Sequence, residues 1–190
     1  MIDFKDVKDP EFVDYKQHLE PGIHEVKITS IVFPDVEESK SPYLKFTWEN
    51  KEGSVAEHNF YVSNRAREFS MAHIKHIALA VATKEIVNNI SAKTFNEFAV
   101  KIFNIVGNKT YRQKFNGEEF QGKDDKIRMK STIGFLSKTN PLAESLTTLK
   151  EDSKLKFNSN NPFDIKRLSS VISSVIENGH FDKSDSSLPF

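Results

Sequence analysis

Cysteine is absent from all 190 residues. That excludes a disulfide framework, thiol catalysis and any cysteine-ligated zinc or iron–sulfur centre. No apolar run approaches the roughly 18 residues of a membrane span, and the acidic start is not a signal peptide. No membrane partner is expected, and the chain reads as soluble and intracellular, in a cytoplasm. The two glycosylation sequons, Asn89-Ile90-Ser91 and Asn108-Lys109-Thr110, then carry no meaning. Apolar residues are also scarce, at 37%, which is low for a chain globular from end to end. The core is therefore expected in only part of the sequence.

The signatures of catalysis are missing too. There is no Gly-x-x-x-x-Gly-Lys phosphate loop, no Gly-x-Gly-x-x-Gly and no Gly-x-Ser-x-Gly elbow. His73 and His76 stand three apart on an expected helix without a third ligand nearby, and read as solvated. Asp124-Asp125 and Glu118-Glu119 fall in an expected hairpin loop among lysines, where a solvated turn suits them better than a metal-dependent nuclease site. No enzyme activity, cofactor or metal is expected.

Net charge is also absent, because 27 basic residues balance 27 acidic ones. The balance hides a pattern. Residues 1–21 carry six acids and three bases, residues 22–136 carry 17 bases and 14 acids, and residues 137–190 carry seven of each. Within the middle block, residues 101–136 hold eight bases against four acids. A mildly basic body between acidic and neutral ends differs from a uniformly neutral enzyme, and this asymmetry is a modest signal.

What is plentiful is phenylalanine, 16 of the 21 aromatic residues. Period-2 alternation marks strands at Gly22–Val32, where His24, Val26, Ile28, Ser30 and Val32 form the apolar face, and at Tyr43–Asn50, where Leu44, Phe46 and Trp48 do. Glu52-Gly53-Ser54 turns the chain into a third strand, Val55–Val62. Asn64 can cap a helix from Arg65 to Ala82, with Phe69, Ala72, His76, Ile77 and Ala80 on its apolar stripe. Thr94-Phe95-Asn96-Glu97 fits a capping box, followed by a stripe of Phe95, Phe98, Ala99, Ile102, Phe103 and Val106 and a stop at Gly107. Two more strands, Lys109–Asn116 and Lys126–Phe135, follow.

This order gives a mainly β, α+β class: a five-stranded antiparallel barrel of the OB type with a helical insertion, plus a C-terminal extension. A five-stranded α+β sandwich has the same periodicity. The expected parts are an acidic segment 1–21, the OB-like domain 22–136, a polar linker 137–163, an amphipathic helix 164–178 and a flexible tail 179–190.

Basic and aromatic side chains interleave on the strands, as single-stranded nucleic acid requires: cations follow the phosphates and flat rings take the bases. The candidates are Lys27, Tyr43, Lys45, Trp48, Tyr61, Tyr111, Arg112, Lys114, Arg128 and Lys130. Arg112, Lys114, Arg128 and Lys130 would form one basic patch if the register puts them on one face. Tyr43 and Tyr61 lie on polar faces and suit stacking. Trp48 shares a face with Leu44 and Phe46, and Tyr111 with Phe115, so core packing competes with stacking there.

The last residues are Asp182-Lys183-Ser184-Asp185-Ser186-Ser187-Leu188-Pro189-Phe190. This resembles the tails of single-stranded DNA-binding proteins, which end in a short apolar tip. The body is similar to OB-fold bacteriophage proteins of that class in Gly22–Val32, Tyr43–Trp48, the helix 94–106 and Tyr111-Arg112-Gln113-Lys114-Phe115. The resemblance implies a non-catalytic protein that coats and protects single-stranded DNA in a bacterial host cytoplasm. It implies recruitment of replication and recombination proteins through Asp182, Asp185, Leu188, Pro189 and Phe190, and leaves self-association open. The tail departs from the family in being weakly acidic, which weakens the case for autoinhibition more than that for docking. The competing expectation is a phage structural or adaptor protein that binds protein through the same sheet face.

Overall fold

The computed structural model describes residues 16–35, 41–63, 66–136 and 141–168. Among the described residues the protein is mainly β with three helices. The strands are β1 (Gly22–Val32), β2 (Tyr43–Asn50), β3 (Val55–Tyr61), β4 (Thr110–Gln121) and β5 (Ile127–Thr132), with two short ones, β6 (Ala143–Glu144) and β7 (Ile165–Lys166). The helices are α1 (Arg67–Leu79), α2 (Lys84–Asn88) and α3 (Phe95–Val106), all between β3 and β4. The main sheet runs β3-β2-β1-β4-β5, and β6 and β7 both add to β4. Every ladder is antiparallel except that of β7 with β4. β3 and β5, the two ends of that order, come near each other but share no ladder, so the sheet stays open along one seam. No described helix is long and apolar enough to cross a membrane.

The alternation in β2 puts Leu44, Phe46 and Trp48 inward, as expected. They meet Phe60 and Phe115 in an aromatic core. Phe46 and Phe60 pack edge-on at 5.0 Å and Trp48 and Phe115 at 5.6 Å, separations at which aromatic pairs add to simple burial.

β1 departs from its expected parity. Val26 and Ile28 point inward, but a bulge falls between Ile28 and Ser30, which face Trp48 and Thr47. The extra residue shifts the alternation, so Ile31 is buried and Val32 is exposed.

α1 keeps part of the expected stripe inward, since Ile77 and Ala80 are buried and His76 half-buried, but Phe69 and Ala72 face outward. Ser70, His73, Ile74, Ile77 and Ala78 are buried, whereas Phe69 is 59% exposed. Asn64, its expected cap, lies outside the described residues. α3 follows the expectation closely: the Thr94 hydroxyl accepts the Glu97 amide at 3.1 Å, and Ala99, Ile102 and Val106 are buried.

The largest difference lies in the stretch read as a linker. Leu142 and Leu155 are buried, and residues 141–168 run along β4 as a strap. Its many Ser, Asn and Asp side chains cap tight turns. Asp164 accepts the Asn158 amide at 2.9 Å, and Ser153 donates to Glu144 at 2.8 Å. At Gly117 the strap comes so close that a Cβ would lie 2.5 Å from Ile165 and 2.9 Å from Pro21. Residues 164–166, expected to open a helix, instead form the β7 end of this strap; 169–178 lie outside the described residues.

Candidate nucleic-acid interface

The open seam is a cleft of about 750 Å³. β2 and β3 supply one wall with Tyr43, Lys45, Glu57, His58 and Tyr61. β4, β5 and the residues after β5 supply the other, with Glu118, Lys130 and Phe135. α1 contributes Phe69 and His73, and the strap contributes Phe163 and Lys166.

Its aromatic side chains are unusually exposed. Tyr43 and Tyr61 are cross-strand neighbours with rings 5.7 Å apart. Phe69 and Phe135 pack edge-on at 6.3 Å. Tyr61 is 46% exposed, Phe135 78% and Phe163 81%. Single exposed apolar residues are ordinary; several large rings gathered at one concave site are not.

Three lysines and two glutamates face the cleft. Lys45 pairs with Glu57 at 2.8 Å. Glu118 lies between Lys130 at 2.8 Å and Lys166 at 3.1 Å. The hydrogen bond from Lys130, with further help from Lys166, holds the Glu118 carboxyl below its ordinary pKa.

Two histidines form part of the inner wall. Burial, followed by the charges of His73 and Lys130, pushes His58 down to about 4, so its ring is neutral near pH 7. His73, expected to be solvated, is buried. Its Nδ1 lies 2.6 Å from the Phe69 carbonyl oxygen and its Nε2 3.1 Å from that of Gly134. It thus ties α1 to the segment carrying Phe135. His76, also expected to be solvated, is half-buried, and its Nε2 accepts from the Leu142 and Ala143 amides at 3.3 and 3.4 Å. Burial lowers its pKa. Among the described residues no group of three or more side chains could hold a metal ion.

Of the ten residues singled out from sequence, the cleft unites Tyr43, Lys45, Tyr61 and Lys130. The other six are elsewhere. Trp48 and Tyr111 are fully buried, the Trp48 indole donating to the Tyr111 hydroxyl at 2.7 Å. They are core residues and present no face to a ligand. Lys114 is buried in an ion pair with Asp164. Arg112 is nearly buried, 3.3 Å from Glu144, and donates to the Ser145 and Thr148 carbonyls. The expected patch of four cations therefore does not form, because the strap covers the face of β4 from which Arg112 and Lys114 would emerge. Arg128 is exposed but pairs with Asp124 at 2.7 Å near the β4–β5 turn. Lys27 lies on β1, 3.8 Å from Glu49. Glu118 and Glu119, expected in a loop, lie on β4, which extends to Gln121. Asp182, Asp185, Leu188, Pro189 and Phe190 lie outside the described residues.

Sequence reasoning missed Phe69, Phe135, Phe163, Lys166 and His58. Phe163 offered one usable signal, a large ring inside a polar Asn-Pro-Phe-Asp stretch. Compared with known proteins, the chain matches no family model and no curated sequence.

Proposed function

We propose that the protein is a non-catalytic, sequence-tolerant binder of single-stranded DNA, and that the cleft along the β3–β5 seam takes the strand. The observation that carries this reading is the gathering of exposed Tyr61, Phe69, Phe135 and Phe163 around Lys45, Lys130 and Lys166 in one cleft. Rings of this kind stack on unpaired bases whatever their identity, and lysines meet the phosphates. A duplex keeps its bases stacked on each other and offers such rings little. The strand order, with β3 and β5 unjoined, is compatible with an OB-type barrel, a fold that is itself only partly closed; that finer fold assignment belongs to the proposal. So does recruitment of replication and recombination proteins by residues 182–190, which rests on the sequence alone.

The test is a fluorescence titration of labelled oligo-dT with the full chain at two salt concentrations. Tyr61→Ala and Phe135→Ala should each weaken binding by about 1–3 kcal/mol. Arg112→Ala should leave the salt dependence as it is, because that guanidinium is engaged by Glu144 and the strap. A wild-type protein that binds no oligo-dT at low salt overturns the proposal and favours a protein-binding adaptor.

A further inference from the structure

We propose that the strap is a working wall of the same cleft. In this view Phe163 takes a base, and Lys166 with Lys130 takes the adjoining phosphate in exchange for Glu118. This inference rests on the single-strand reading and adds to it a phosphate subsite that the protein occupies with its own carboxylate.

The exposure of Phe163 contrasts with the way its turn is held. The ring is 81% exposed. Its backbone is fixed from both sides. Its amide donates to Asn161 Oδ1 at 3.0 Å, and its carbonyl accepts from Asn116 Nδ2 at 2.5 Å. The next residue, Asp164, is buried against Lys114 and also accepts the Asn158 amide. The Gly117 amide on β4 donates to the Asp164 carbonyl at 2.7 Å. So constrained a turn sets where the ring leaves the backbone, and a base that stacks on it need not order the main chain there.

Glu118 sits where a phosphate would. One carboxylate bridges two ammonium groups on different strands, Lys130 of β5 and Lys166 of β7. A phosphate offers the same pair of anionic oxygens and forms charge-assisted bonds of the same kind. Glu118 is only partly exposed and lines the same cleft as Phe163. It therefore occupies the place a phosphate would take and sets a threshold for entry. With three lysines against two glutamates, the cleft attracts a polyanion weakly until a carboxylate gives way.

The experiment is an oligo-dT titration of the full chain at three or more salt concentrations, with melting temperatures as a check on folding. Phe163→Ala should weaken binding about ten-fold or more, as loss of one stacked base does, with the salt slope unchanged. Lys166→Ala should reduce the slope of log affinity against log salt by about 0.7, the value for one phosphate contact on a single strand. Glu118→Gln should bind more tightly than wild type, with a steeper slope, because both lysines become available. Wild-type affinity and slope in Phe163→Ala and Lys166→Ala, with weaker binding in Tyr61→Ala, would remove the strap from the site while leaving the single-strand reading in place. Unchanged affinity in Glu118→Gln would overturn the exchange. If wild type itself binds no oligo-dT, both proposals fall.

Discussion

Replacing Asp164 by Asn should be among the most destabilising near-isosteric changes in the protein. The Asp164 and Lys114 side chains are 5% and 1% exposed. Asn keeps the shape and can still accept the Asn158 amide, but it removes the charge opposite the ammonium. Breaking one side of a buried pair costs about 3–5 kcal/mol, because the remaining charge has been taken out of water. In a chain of this length each kcal/mol moves the melting temperature by about 2–4 °C, which gives a drop of about 6–20 °C. Urea unfolding and thermal melts of wild type, Asp164→Asn and the double variant Lys114→Met with Asp164→Leu would measure it. The double variant replaces both charges with apolar groups of similar size and should recover most of the loss, apart from about 1 kcal/mol for the Asn158 amide. A single variant that loses less than 1 kcal/mol, or a double variant no more stable than the single, would refute the assignment of a buried ion pair as the strap's anchor.

Tyr111→Phe leaves the buried Trp48 indole without the hydroxyl 2.7 Å away; urea unfolding should show a loss of about 1–3 kcal/mol, with oligo-dT affinity unchanged. Thr94→Ala removes the hydroxyl that caps α3 and should cost about 1 kcal/mol by the same assay. His58, pushed down to about 4 by burial, makes stability fall with acidification. Above about pH 6.5 the ring is neutral folded or unfolded, whereas between that pH and about 4 only the unfolded chain takes up the proton. Wild type should therefore lose at most about 3 kcal/mol through this group as pH falls across that window, and His58→Gln should show a flatter stability profile in melts from pH 7 to 4.5.

The framework was legible where one face of an element decides its pattern. β2 and α3 each bury one side and leave the other wet, so periodicity and the Thr94 cap located them. β4 was harder because it is covered on both faces: Gln113, Lys114, Phe115 and Asn116 are buried in succession. Alternation tells which residues share a face, but it does not tell which face water reaches. Lys114 and Arg112 look like cations facing solvent only for as long as the covering strap looks like a linker. That strap is rich in Ser, Asn and Asp, which serve as turn caps as readily as they populate loose chain. In β1 one bulge reversed the parity, and no local composition marks Thr29 as the extra residue. The cleft was half-legible for a related reason. Tyr43, Lys45, Tyr61 and Lys130 belong to regular strands, whereas Phe69, Phe135, Phe163 and Lys166 reach the seam from a helix, a strand end and the strap, which only the fold brings together.

The most direct measurement of the central claim is photocrosslinking of the full-length protein to a short single-stranded DNA carrying 5-iododeoxyuridine, with the attached peptides identified by mass spectrometry. The cleft reading predicts crosslinks concentrated in the peptides that carry Tyr61, Phe69, Phe135 and Phe163, competed away by unlabelled oligo-dT and much less by duplex of the same length. Crosslinks confined to the exposed apolar residues of the helical side, Leu79, Ile86 and Val100, or labelling equally competed by duplex, would contradict it.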